Sequence, residues 1–136
     1  MELPPLVVVD AANTVGSVPD GWWRDRHGAT ERLRDALAPL AARGLPVRDG
    51  VPGWACRPPL EVLLVVEGAA RAVAAVPGVR VEAAGGSGDD LMVELVAQAV
   101  CAAPGRPVLL VTADRELRAR AAGHGAVCTG PRAVRG

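Results

Sequence analysis

The sequence contains no lysine, no phenylalanine and no tyrosine, and these absences narrow what the protein can be. Without lysine there is no GxxxxGK[ST] phosphate-binding loop, and the lysine that follows a late strand in phospho-receiver domains is missing as well. With three tryptophans as the only aromatic residues, the core must consist of valine, leucine and alanine. No apolar run approaches the roughly 18 residues that a membrane span needs, so we expect no membrane contact.

Cysteine and histidine are scarce too. The three cysteines are far apart and form no CxxC pair, and the two histidines stand alone, so the chain has no zinc signature and no Cys-His or Ser-His-Asp pattern. We interpret the thiols as reduced and the protein as cytoplasmic. The N-terminal stretch MELPPLVVVD agrees, because it lacks the basic region of a signal peptide.

The formal net charge is zero, with 15 acidic residues and 15 basic ones that are all arginine. A protein that holds nucleic acid by charge alone is usually basic. Neutrality argues against tight, unassisted RNA binding. It leaves room for a nuclease in which a cluster of acids masks the surrounding arginines.

The length of 136 residues suits one domain, residues 1–136. Apolar runs predict strands at residues 6–9, 62–66, 79–81 and 108–111, with a short last strand at 126–128. Helical patterns cover residues 29–42, 68–76, 89–103 and 114–123, and irregular loops occupy 16–27 and 44–59. Continuous apolar strands indicate a sheet covered on both faces. We therefore predict an α/β protein, a three-layer α/β/α sandwich with a mostly parallel, doubly wound sheet.

Acidic residues stand where the predicted strands end. Asp10 ends the first strand, Glu67 the second, and Asp114 follows the fourth, while Asp89 and Asp90 open the helix after the third. Ligands of open parallel sheets bind beyond the carboxyl ends of the strands. Crowded carboxylates repel each other unless a cation lies among them, and Mg²⁺ or Mn²⁺ prefers such oxygen ligands. A metal there can activate water for attack on a phosphate.

Each acid also has a purely structural interpretation. Asp114 is a candidate N-cap, Asp89 a favourable charge in a first helical turn, and Ser87 with Asp90 resembles a capping box. Asp10 resists this interpretation, because we expect no helix to begin directly after it. Four such acids at successive strand ends make a shared site the better hypothesis.

Several polar neighbours have two interpretations. Asn13 either orients a carboxylate or a metal-bound water, or is a turn residue. Thr112 either hydrogen-bonds the site or caps a helix, and Ser87 has the same two options. Arg115 either contacts a phosphate or is a solvated helix residue. Glu67 is a peripheral candidate.

The segment around the paired tryptophans is a candidate substrate contact. Trp22 and Trp23 are suited to stacking on bases, and Arg24 and Arg26 to pairing with phosphates. The alternative is an apolar lid with at least one tryptophan buried. An exposed tryptophan surface is also compatible with a homodimer.

Three motifs, taken together, resemble a known family. VVVDAANTVGS, SGDDLMVEL and VTADRELRARA, with PDGWWRDRHGA in the first loop, resemble the NYN domain family, in particular its YacP-like bacterial branch. That family belongs to the PIN-like superfamily of metal-dependent nucleases. The combination of D-x-x-N, G-D-D and T-x-D-R-E, in this order along the chain, carries the resemblance.

The resemblance implies an α/β/α sandwich, Mg²⁺ or Mn²⁺ as cofactor, and endonucleolytic cleavage of single-stranded RNA. By position, Asp10, Asp89 and Asp114 would bind the metal and Asn13 would be the polar partner of Asp10. Asp90 would share the metal.

One departure from the family pattern concerns Glu67, which stands where relatives carry aspartate and would reach past the metal. The alternative function is an inactive PIN-like module that binds RNA or a protein. The neutral charge favours this alternative, and the retained acids oppose it.

Overall fold

The computed structural model describes residues 3–135. Within them the order is β1 (Leu6–Asp10), α1 (Ala11–Gly16), α2 (Arg26–Arg43), β2 (Glu61–Val66), β3 (Val79–Ala83), α3 (Gly88–Ala102), β4 (Val108–Val111), α4 (Arg115–Ala122) and β5 (Val127–Thr129). Single 3₁₀ turns lie at Trp22–Arg24, Gly53–Cys56, Gly68–Ala70 and Pro131–Ala133. No helix in the described range is long and apolar enough to cross a membrane.

The five strands form one parallel sheet in the order β3-β2-β1-β4-β5. The chain builds outwards from β1 to β3, then crosses back to place β4 on the other side of β1. The crevice between the ends of β1 and β4 is therefore the switch point of a doubly wound sheet, where such folds bind ligands. The predicted fold class is confirmed.

Both faces of the sheet are covered, which explains the continuous apolar strands. In β1, Val7 and Val9 pack with α1 and α2, whereas Leu6 and Val8 pack with α3 and α4. On the first face α2 contributes Leu33 and Leu37, among others. Because successive side chains point to opposite faces, a strand buried on both sides needs apolar residues at every position.

Helix α2 begins three residues earlier than its leucine stripe predicts. The Asp25 side chain accepts a hydrogen bond from the Gly28 N–H at 2.9 Å and caps the helix. Aspartate is a favoured N-cap because it satisfies one of the unpaired N–H groups of the first turn. The helix ends at Gly44, as predicted.

The predicted helix at residues 68–76 is wrong. Only the 3₁₀ turn Gly68–Ala70 forms there, and Gly68 has a positive φ of 58°. Ala70 and Val73 are buried and Val76 is half-buried, a spacing of three rather than the 3.6 of an α-helix. Val76 then pairs with Val79 in an antiparallel bridge, which consumes residues that a helix would need.

The expectation that no helix starts directly after Asp10 is also wrong. Helix α1 begins at Ala11, and the Asp10 side chain caps it by accepting the Asn13 N–H at 3.2 Å. The helix has six residues and buries Ala11, Thr14 and Val15. Six residues are too few to show a helical period in the sequence, so tertiary packing supports this turn.

Candidate active site at the carboxyl edge of the sheet

Asp10 lies at the switch point and is 6% exposed. Its Oδ1 accepts the Asn13 N–H, and its Oδ2 accepts the hydroxyl of Thr112, just beyond β4, at 2.9 Å. Of the two interpretations of Thr112, the contact with Asp10 is the one that forms. The carboxylate is therefore held in one orientation by groups from both neighbouring segments.

Asn13 ties the two sides of the crevice together. Its side-chain Oδ1 accepts the backbone N–H of Ala113 at 2.8 Å, which joins α1 to the connection between β4 and α4. Its backbone N–H holds Asp10 at the same time. The Asn13 side chain therefore anchors the connection after β4, and the contact with Asp10 comes from its backbone N–H.

Three helices begin at this edge with capped N-termini. Asp114 caps α4 by accepting the Leu117 N–H at 2.9 Å, and Ser87 caps α3 by accepting the Asp90 N–H at 3.5 Å. The predictions that Asp114 and Ser87 are N-cap residues are therefore confirmed. A cap and a site residue are compatible, because Asp114 uses one carboxylate oxygen for the cap.

Glu67 is more central than the sequence indicated. It follows β2, and its Oε2 accepts the Gly88 N–H at 2.7 Å at the start of α3. A Cβ added at Gly88 would lie 2.7 Å from that oxygen, so glycine leaves the space that Glu67 occupies. The sequence feature that indicates a role for Glu67 is its position at the end of a predicted strand, and the same feature identifies Asp10.

The Asp10 carboxylate is electrostatically strained. Burial raises its pKa above the ordinary value, and the hydrogen bonds from Asn13 and Thr112 lower it. The neighbouring charges of Asp89 and Glu67 then raise it further. Residues from β1, from the end of β2 and from α3 thus share one electrostatic environment.

The pKa of Asp89 is raised for similar reasons. Burial raises its pKa first, the charges of Asp114 and Glu67 raise it next, and Arg120 opposes them. Asp90 also raises it, but the Asp90 carboxylate points to Arg120 and pairs with its guanidinium at 2.9 Å. The structure therefore groups Asp89 with Asp114 and Glu67 and directs Asp90 to a neighbouring arginine.

An acid at the amino ends of the strands has a different environment. Glu61, at the start of β2, pairs with Arg106 at 2.5 Å and with Arg80. Burial alone would raise its pKa, but the two arginines outweigh burial and lower it. Glu61 is compensated by cations of the protein itself, whereas Asp10 and Asp89 are left with raised pKa values.

The donor set at the carboxyl edge fits a hard divalent cation. Asp10, Glu67, Asp89 and Asp114 offer only carboxylate oxygens, and their mutual repulsion is what a cation would relieve. Within residues 3–135, no group of three or more His, Cys, Asp or Glu side chains already stands close enough to hold a metal ion. Mg²⁺ commonly keeps several waters and uses one or two carboxylates plus substrate phosphate, so a loose group of acids suits it.

A cleft of about 370 Å³ adjoins this group. Trp22, Arg26 and Glu67 line it, together with small residues of α1 and of the 3₁₀ turn 68–70. The Arg26 guanidinium lies 5.2 Å from the centre of a Trp22 ring. The structure therefore places Trp22 and Arg26 beside the acidic group.

The other candidate contacts lie outside the cleft. Trp23 is 54% exposed, with Arg24 5.9 Å from its ring, while Trp22 packs partly against the core. We expected at least one of the two tryptophans to be buried, and Trp22 is half-buried. Arg115 is exposed at the start of α4.

These features define a doubly wound α/β domain with an acidic site at the switch point of a parallel sheet. The crystal structure of Rae1 (YacP) from Bacillus subtilis matches it with a TM-score of 0.64 at 18% sequence identity, over 94% of this chain and 70% of Rae1. No protein-family model and no curated protein matches the sequence. The chain therefore has a YacP-like fold, and its membership of the NYN family stays a prediction.

Proposed function

We propose that this protein is a metal-dependent endoribonuclease of the NYN type. The carrying observation is that Asp10, Glu67, Asp89 and Asp114 share the carboxyl edge of the sheet, where burial first and neighbouring carboxylates second raise the pKa values of Asp10 and Asp89. Holding such a group together costs folding free energy, and acids used only for stability are compensated, as Glu61 is. Perturbed carboxylates in a crevice mark functional sites.

Asp10, Asp89 and Asp114 would hold Mg²⁺ or Mn²⁺, which when bound lowers the pKa of a water and neutralises charge on the phosphate. The Thr112 hydroxyl and the Asn13 backbone N–H orient Asp10 by donating to it and favour its ionised form. Glu67 accepts from the start of α3 and thereby positions Asp89. The N-termini of α3 and α4 face the same edge and add a favourable field for a phosphate.

The cleft beside the acids suits a base of the RNA strand. Its walls are apolar, Trp22 offers a ring for stacking, and Glu67 and Arg26 offer an acceptor and donors at the rim. Stacking of a base on an aromatic side chain contributes about 1–3 kcal/mol. We assign Trp22 and Arg26 to substrate binding ahead of Trp23, Arg24 and Arg115.

The test is cleavage of an end-labelled single-stranded RNA by purified protein in Mn²⁺ or Mg²⁺, with EDTA as the metal-free arm. We expect internal cuts that EDTA abolishes and that Asp10→Asn reduces by about a hundredfold or more. The matched control is Asp35→Asn, an exposed aspartate on α2, which should cut like the wild type. Circular dichroism verifies that both variants are folded.

Two outcomes would reject the enzyme. Equal cutting by wild type and Asp10→Asn would identify a contaminating nuclease. Unchanged RNA binding without cutting in any metal would identify the binding module instead.

The tryptophan pair supplies an internal comparison for the cleft. Trp22→Leu should raise KM about tenfold or more, as expected for the loss of one stacked base, while Trp23→Leu should change it little. Equal effects of the two substitutions would place the base elsewhere.

A further inference from the structure

A second cavity, of about 680 Å³, opens at the same edge of the sheet, beyond β5. Three arginines from distant parts of the chain line it: Arg48 from the loop 44–59, Arg118 from α4 and Arg132 from the last 3₁₀ turn. Thr129 and Gly130 line it at the end of β5, and Asp49 is the acid among its lining residues. Nothing in the sequence pattern marks these arginines as a group.

Arg118 connects this cavity to the acidic site. Its Nε donates to the backbone oxygen of Thr112 at 2.7 Å, and the Thr112 hydroxyl donates to Asp10. Arg118 also lies one helical turn after Asp114, to which its backbone N–H is bonded. The guanidinium is therefore held at the end of β4, and the side chain lines the cavity next to Gly130.

Arg132 is positioned by Arg48. The Nη1 of Arg48 donates to the backbone oxygens of Arg132 at 2.5 Å and Arg135 at 3.2 Å, which fixes the 3₁₀ turn 131–133. The Arg132 side chain is exposed at the rim. One arginine thus shapes the turn that presents another.

We propose that this basic cavity binds a backbone phosphate of the RNA strand, one that is not cut, and so sets the path of the strand across the sheet edge. The inference rests on the proposed function. The cavity lies past β5 and Asp10 ends β1, two strand spacings or about 10 Å away along the same edge. Arginine suits the task because its planar fork contacts phosphate oxygens through two donors.

The cavity is compatible with the neutral net charge. Four of the 15 acids, Asp10, Glu67, Asp89 and Asp114, lie at the carboxyl edge, and three of the 15 arginines line the cavity beyond β5. A metal-bound phosphate at one place and an arginine-bound phosphate at the other need no excess of positive charge over the whole protein.

The experiment measures binding of a fluorescein-labelled single-stranded RNA by anisotropy, in EDTA, at several salt concentrations. Each phosphate contact on a single strand contributes about −0.7 to the slope of log K against log salt. We expect Arg132→Gln to weaken binding roughly two- to fivefold at low salt and to flatten the slope by about 0.7. The matched control, Arg32→Gln on α2, should leave both unchanged, and Asp49→Asn should strengthen binding.

Arg118→Lys is the second variant, because it keeps the charge and loses the fork. It should weaken binding while leaving the far-ultraviolet circular dichroism spectrum unchanged. Equal slopes for wild type, Arg132→Gln and Arg32→Gln would overturn the inference, and so would an absence of RNA binding by the wild type at all salt concentrations.

Binding in EDTA separates this inference from the proposed function. A protein that binds RNA through Arg132 but never cuts would contradict the nuclease and leave the phosphate cavity standing. A protein that cuts RNA but binds it equally well without Arg132 would contradict the cavity alone.

Discussion

The hydroxyl of Thr112 donates to the Oδ2 of Asp10 at 2.9 Å, across 102 positions of the sequence. The same hydroxyl oxygen accepts the Asp114 N–H at 3.2 Å. One side chain just beyond β4 therefore orients the acid at the end of β1 and the acid that caps α4. The candidate site depends on this buried contact as much as on the acids themselves.

Thr112→Val should remove the hydrogen bonds that Thr112 makes with Asp10 and with Asp114. Valine has nearly the shape of threonine but leaves the buried Asp10 carboxylate without one donor, at a cost of about 1–3 kcal/mol in the free energy of unfolding. Chemical denaturation measures the loss, and RNA cleavage should fall with it. Thr112→Ser, which keeps the hydroxyl, should recover most of both; failure to do so would mean that the methyl group matters instead.

Asn13→Leu should loosen the crevice from the other side. It removes the acceptor of the Ala113 N–H, a hydrogen bond that contributes about 1 kcal/mol to stability. Asn13→Asp keeps an acceptor at the same place but adds a charge to the acidic group, so it should lose stability at pH 7 and recover part of it in acid. Thermal unfolding of the three proteins in EDTA distinguishes these cases, and a leucine variant as stable as the wild type would show that the contact is dispensable.

Asp10→Asn should stabilise the metal-free protein at neutral pH. The pKa of Asp10 is raised in the folded state, so its ionised form costs stability at every pH above that pKa. The cost fades as the pH falls through the raised pKa and is absent below the ordinary value of 3.8. Unfolding curves in EDTA should therefore separate at pH 7 and converge in acid; a constant difference would mean that ionisation is not its cause.

A divalent cation should make the wild type more stable than Asp10→Asn, the reverse of the order expected in EDTA. A ligand at about 100 times its Kd stabilises the folded state by about 2.7 kcal/mol, and asparagine removes a donor of the site. We expect Mn²⁺ to raise the melting temperature of the wild type well above that of Asp10→Asn. Titration by differential scanning fluorimetry, with Asp35→Asn as control, measures this. Equal shifts in all three would place the metal elsewhere.

Gly44→Ala should test the junction between α2 and the following loop. Gly44 has φ +85°, and an added Cβ would lie 2.3 Å from the backbone oxygen of Cys56. Strain and overlap together should cost about 3 kcal/mol or more. Gly105→Ala is the control for a positive φ without a close contact, since φ is +88° and nothing lies within 4 Å, so only backbone strain of about 1–2 kcal/mol applies. Equal losses would deny the close contact.

Local patterns were sufficient for much of the architecture. Runs of valine and leucine identify strands that must be buried on both faces, and alternation with helices implies parallel pairing. The starts of α3 and α4 can be predicted from the N-cap residues Ser87 and Asp114, because N-capping involves residues only three positions apart. Patterns failed at α1 and at residues 68–76, because segments of six to nine residues adopt the backbone that their packing selects.

The sequence by itself determined the alternating strands and helices, the acids at the strand ends and hence the edge of the sheet on which they gather. Only the tertiary structure decided that Glu67 joins Asp89, that Asp90 turns to Arg120, and that Arg118 and Arg132 meet in one cavity. The physical reason is the separation along the sequence over which each interaction acts. Periodicity and capping act between residues a few positions apart, whereas contacts across the sheet depend on the order β3-β2-β1-β4-β5, which sequence spacing does not encode.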